Sequence, residues 1–219
     1  MPVVKPRHEN IAELLHELGD IPPDRVRLDP LPGTATKRDL LRVHDRHRLC
    51  ELIDGTLVEK AMGTPESYIA IEIAYALRVY LTNHDIGYVY GADGLVQVRP
   101  RRVRTPDVSF TSWLKRPDRT VPSNPINDLV PDLAVEVLSR SNTSREIERK
   151  LEDYFNSGVS LVWIIDPQSR TAEIHSGPDE VEPIDEAGSL DGRDILPGFT
   201  ISLAKLFERL EKPKGRKKR

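Results

Sequence analysis

Disulfide chemistry is excluded first, because the 219 residues hold one cysteine, Cys50. A lone thiol closes no internal bridge, and no Cys/His cluster is present to hold a structural zinc. No stretch approaches the ~20 apolar residues that a membrane span needs. The opening MPVVKPRHEN lacks the apolar core of a secretory leader. A cytoplasmic protein with no membrane partner is therefore expected, since a reducing compartment imposes no need for disulfides. Bulk basic charge is missing too: the net charge is −3. That argues against a protein that coats nucleic acid through overall charge, but not against an enzyme with a local basic groove. There is no Gly-x-Ser-x-Gly elbow, no Cys/His nucleophile pair, no HExxH and no glycine-rich phosphate loop. Serine or cysteine hydrolysis, zinc proteolysis and ATP chemistry thus lose their usual signatures. The cluster His44-Asp45-Arg46-His47 reads as a solvated face rather than as a hydrolytic centre.

What is present suits one soluble domain with tails, 38% hydrophobic and 31% charged. Residues 1–45 read as a partly irregular arm, with a short helix at Ile11–Leu18 and proline-rich runs at Ile21–Pro23 and Leu28–Gly33. The compact domain is expected over 46–210, and 211–219 form a basic, solubilising tail. Within the domain, Glu51–Lys60 reads as a hairpin about Asp54-Gly55. Apolar residues at helical spacing predict a helix over Pro65–Asn83. Strands are expected at Gly87–Tyr90, Leu95–Val98, Val103–Phe110, Leu133–Leu138, Leu161–Ile165 and Thr171–His175. A capped helix is expected over Arg145–Asn156, ended by Gly158, and a last short helix over Leu203–Leu210. The fold class that follows is α/β of the α+β type, a mixed central sheet flanked by helices.

One residue in this pattern needs explaining. Glu136 stands in the middle of the apolar strand LAVEVL. A buried carboxylate without a partner costs several kcal/mol or shifts its pKa, so it has a charge partner, a metal, or an edge open to water. Alternation puts Ala134, Glu136 and Leu138 on one face. Asp107 follows Pro106 at a strand start, where turn chemistry is the ordinary explanation. At about 100° per residue, Lys150 falls on the flank of the apolar arc of its helix, so its stem can follow the core while its ammonium reaches a site or the surface. Glu66 falls about 20° from Ile73, inside the buried stripe of the first long helix, where a charge favouring the helix dipole is the plain alternative. Two converging carboxylates bind a hard divalent cation, which polarises a phosphoryl oxygen and lowers the pKa of a bound water. A nearby lysine helps neutralise the charge that grows on the phosphorus centre.

These residues resemble a known family. Thr105-Pro106-Asp107, Pro131 to Ser139 (PDLAVEVLS), Arg149-Lys150 before Tyr154-Phe155 and Gly158-Val159 are similar to the bacterial Uma-type family of restriction endonuclease-like proteins. Glu51-Leu52-Ile53-Asp54-Gly55, Val162 to Pro167 and Leu196 to Phe199 match as well, so that the likeness covers roughly residues 45–210. That family belongs to the PD-(D/E)XK nuclease superfamily. The resemblance implies a restriction-endonuclease-like core and a Mg²⁺-dependent endonuclease, with Mn²⁺ as a substitute. Asp107 and Glu136 would be the metal ligands and Lys150 the catalytic lysine. The superfamily's lysine normally lies two residues after the second acid; here Leu138 stands there, and the role passes to the following helix. Glu66 matches the acid often given by the first helix, and Glu51 is its rival. The implied partner is nucleic acid, DNA first, and double-strand cleavage would favour a homodimer. The alternative is a degenerate nuclease fold that binds nucleic acid or another partner without cleaving. An arginine cluster, Arg99, Arg101, Arg102 and Arg104, either lines the groove or forms a solvated strand edge.

Overall fold

The computed structural model describes residues 9–46 and 48–211. The opening residues 1–8, His47 and the basic tail 212–219, each read above from the sequence, lie outside the described residues.

The chain starts with α1 (Ile11–Glu17), a single 3-10 turn, and α2 (Lys37–His44). The hairpin β1 (Cys50–Ile53) and β2 (Thr56–Glu59) follows, then α3 (Thr64–Asn83). Next come β3 (Gly87–Tyr90), β4 (Leu95–Arg99), β5 (Arg102–Arg104), β6 (Val108–Ser112), β7 (Ile126–Asn127) and β8 (Leu133–Val137). After α4 (Ser144–Ser157) stand β9 (Leu161–Asp166), β10 (Thr171–His175), β11 (Val181–Ile184), β12 (Ser189–Asp191), β13 (Thr200–Ser202) and α5 (Leu203–Phe207). Among the described residues no helix is long and apolar enough to cross a membrane.

Two main sheets share the work. A six-stranded mixed sheet runs β11-β10-β9-β8-β6-β3, and a five-stranded sheet runs β2-β1-β5-β4-β7. In the larger sheet β8 and β9 pair in parallel and are joined by α4, a crossover that lays the helix over the strand it follows. Alternation then sorts the faces. Leu133, Val135 and Val137 turn toward α3, where Ile69, Ile73 and Leu77 complete a core with Phe110 and Trp163. Ala134 and Leu138 turn toward α4, beside Tyr154, Ile147 and Leu151. Glu136 belongs to this second face. Val96 and Val98 of β4 close α4 from the other sheet.

The strand expected over Val103–Phe110 is two strands in two sheets. β5 pairs with β1 and β4, whereas β6 pairs with β3 and β8. Pro106 explains the break: it has no N–H for a ladder, so the chain changes sheets at Thr105-Pro106 and delivers Asp107 between them. The arm is also more ordered than its proline content suggests. Thr36 and Asp39 form a reciprocal capping box that starts α2. Leu40 and Val43 of α2 pack on Leu52, Leu57, Leu95 and Val103. Leu14, Leu18, Ile21 and Val26 cover the other face of the hairpin at Ile53 and Val58.

Candidate active site

Asp107 is latched to both neighbours of Glu136. Its N–H donates to the Val135 carbonyl at 2.8 Å, and its Oδ2 accepts from the Val137 N–H at 2.7 Å. Backbone geometry, rather than side-chain chance, therefore fixes one acid against the other. Glu136 accepts from Lys150 Nζ at 2.8 Å on Oε2 and from the Tyr154 hydroxyl on Oε1. Lys150 and Tyr154 are one helical turn apart on α4, which the crossover sets over β8. The structure thus brings together Asp107, Glu136 and Lys150.

Glu51 joins them from the smaller sheet. Its Oε1 lies 3.5 Å from Lys150 Nζ and accepts from the Thr105 N–H at 3.2 Å; its Oε2 accepts from Arg104 at 2.7 Å. Glu66 is placed differently. It is 8% exposed in the first turn of α3, and its Oε2 lies 2.6 Å from where a Cβ on Gly63 would stand. Of the two rival acids, it is Glu51 that reaches the Lys150 ammonium.

The arginine cluster is split, with Arg102 and Arg104 turned inward. Arg104 is 2% exposed and bridges Glu51 to Asp153, to which it donates at 2.7 Å. Arg102 spans Asp54 and Asp153 at 2.6 Å each. Only Arg99 and Arg101 of the four stand exposed. The cause is Asp153, fully buried on α4 and facing β5, whose charge draws both guanidinium groups inward.

Lys60 is the member that sequence reasoning missed. It lies just past β2, its ammonium 2.9 Å from Asp107 Oδ1, and it also donates to the Thr105 carbonyl. A signal was available in the hairpin register. Glu51 pairs with Val58, so the two share a face, and alternation returns Lys60 to that face. The same register carries Glu51.

The site is closed and internally neutralised. The side chains of Asp107, Lys60, Glu136 and Lys150 are only 3–4% exposed. Burial raises the Glu136 carboxyl above its ordinary range, against the pull of the Lys150 and Lys60 ammoniums. Burial works the same way on Glu51, but Lys150, Arg104 and Lys60 outweigh it and hold that carboxyl well below its usual range. Burial alone would lower Lys150; Glu136, Glu51 and Glu146 reverse this and keep it charged. Tyr154 is pushed well up by burial and by the facing carboxylates, so it stays a donor to Glu136.

The donors suit a hard cation. Asp107 Oδ1 is buried and accepts no hydrogen bond; the Lys60 ammonium near it is an ion-pair contact only. Glu136 supplies a second carboxylate on the adjoining strand. Among the described residues no three His, Cys, Asp or Glu side chains converge into a ready metal cage. Two carboxylates fit a hard divalent ion that takes one or two protein oxygens and keeps water and phosphate as its other ligands.

Comparison with known proteins agrees with this architecture. No curated protein matches the chain. A crystal structure from Anabaena variabilis, described as "a putative nuclease belonging to DUF820", superposes with a TM-score of 0.68 at 18% identity. The match covers 79% of this chain and 97% of that one, a likeness of fold. Residues 38–204 match the Uma2 family, described as "Putative restriction endonuclease". With three-quarters of its length inside that match, the chain belongs to the Uma2 family.

Proposed function

We propose that this protein is a metal-dependent endonuclease that hydrolyses phosphodiester bonds in DNA. The observation that carries the reading is the latch of Asp107 onto the strand of Glu136, with Lys150 on the second acid. Asp107 and Glu136 would hold Mg²⁺, or Mn²⁺ in its place. When bound, the ion supplies Lewis-acid polarisation of a phosphoryl oxygen and a water of lowered pKa. The chain's own groups do the rest. Tyr154 orients Glu136 through its hydroxyl. Lys150 offers positive charge where negative charge grows on the phosphate. Glu51 steadies Lys150 and, through Thr105, the loop that carries Asp107.

Burial favours a second reading, in which the same charges are a structural lattice in a nuclease fold that binds a partner without cutting it. The two separate in one experiment. Supercoiled plasmid is incubated with the protein in Mg²⁺, in Mn²⁺ and in EDTA, beside Asp107→Asn and Glu136→Gln. Nicking that requires metal and is lost in both variants, with their circular dichroism unchanged, is the expected result. Persistent nicking in either variant removes the site assignment, and no cleavage under any metal leaves the lattice reading. Single-stranded DNA and RNA run in parallel identify the substrate, and sedimentation with and without DNA tests the homodimer.

A further inference from the structure

Each acid of the site already has a cation. Glu136 has Lys150, which also answers Glu51. Asp107 has Lys60, at 2.9 Å from the one carboxylate oxygen that accepts no hydrogen bond. The other Asp107 oxygen is occupied by the Val137 N–H. Oδ1 is thus the oxygen of this residue left for a cation, and the Lys60 ammonium stands at it. Its side chain is 4% exposed, so water cannot readily take over its charge.

We propose that Lys60 is a resident cation that fills the metal position at Asp107 Oδ1 and is displaced when a divalent ion binds. This rests on the reading of Asp107 as a metal ligand. A positive ammonium and a divalent ion cannot share that oxygen at contact distance in a site closed to solvent, because their repulsion is screened only weakly there. Lys60 has a flexible four-carbon stem and a second tether, the Thr105 carbonyl, beside Asp107. On release its ammonium stays within the site, where its ligand is a phosphate oxygen of the substrate. The lysine then serves two states. It stabilises the buried Asp107 while the metal is away, and it adds positive charge toward a phosphodiester once the metal is bound.

The test is Mn²⁺ binding, followed by calorimetry without nucleic acid, for the wild type, Lys60→Met, Asp107→Asn and the double variant. Lys60→Met should bind Mn²⁺ at least about tenfold more tightly than the wild type, a change that removing an opposing charge readily produces. That binding should vanish when Asp107→Asn is added. If Lys60→Met is poorly folded, Lys60→Gln keeps a donor for Thr105 and removes the charge, and the same gain is expected. Equal or weaker binding in the charge-free variants, with the wild-type site still dependent on Asp107, overturns the role of Lys60 and leaves the nuclease site standing. Binding that survives Asp107→Asn, or no binding in any variant, overturns both.

Discussion

At the residue scale the informative feature is charge where burial forbids it. Glu136 was legible because an acid amid LAVEVL has no cheap explanation, and strand alternation fixed the face it takes. Lys150 was legible only as a flank residue, since a wheel cannot tell a lysine that reaches inward from one that snorkels outward. Lys60 was missed although alternation along the hairpin returns it to the face of Glu51, because past the end of a strand a lysine reads as surface. The internal role of Lys150 has a direct consequence. Lys150→Ala leaves Glu136 and Glu51 buried without their shared ammonium. Breaking one side of a buried pair costs about 3–5 kcal/mol, so urea denaturation should show a loss of that order. Tyr154 still donates to Glu136, which keeps the fold recoverable. The nicking rate should fall strongly while metal binding persists. A loss of stability under about 1 kcal/mol would instead mark the exposed ion pair of a surface lysine.

At the element scale the sequence shows where strands and helices lie better than which sheet they join. The hairpin at Glu51–Lys60, the long α3 and the strand of Glu136 follow from local pattern. The division of Val103–Phe110 does not, because each piece is a short strand-like run and only the sheet partners of each distinguish them. Pro106 was the local mark of that break. The docking of α1 was equally hidden, since it depends on a contact more than a hundred residues away. Gly19 follows α1 at φ +92°, and a Cβ there would lie 2.7 Å from the Glu146 backbone on α4. The Thr143 hydroxyl, which caps α4, also donates to the Gly19 carbonyl. Gly158 ends α4 at φ +98°, with nothing within 4 Å of the same atom. The pair separates conformation from packing. Gly158→Ala should cost about 1 kcal/mol, the strain of a left-handed residue alone. Gly19→Ala carries the same strain and must also push α1 off α4, so its loss should be clearly larger by denaturation. Equal losses would mean that the α1–α4 contact contributes nothing.

At the scale of the whole molecule, two sheets and an N-terminal segment are held in register by buried charge as well as by apolar cores. Arg104 links β5 to β1 and α4 through Glu51 and Asp153, and Arg25 links the segment before β1 to α4 through Glu146. The Arg25 pair is bidentate, at 2.7 and 2.9 Å, and Asn142 adds a third donor to Glu146. This makes the attachment of the N-terminal segment dependent on pH. Burial raises the Glu146 carboxyl, but the Arg25 hydrogen bonds and the Lys150 and Arg25 charges outweigh it, and the net effect holds it below its ordinary value of 4.5. A carboxylate depressed in the folded state binds its proton more weakly there than in the unfolded chain. Its stabilisation is therefore fully present above about pH 4.5, and is lost as pH falls through the lower folded value. Glu146→Gln removes the charge at every pH. At neutral pH the variant should be less stable by about 2 kcal/mol, the scale of hydrogen bonds to a charged group. Below about pH 4.5 the gap should narrow, and it closes as pH falls through the lower folded value, where the wild-type carboxyl becomes neutral. Urea midpoints of both proteins between about pH 3 and 7 give the comparison. A gap that stays constant across that range would mean that Glu146 contributes by shape alone, and that the charge of Arg25 does not hold the N-terminal segment against α4.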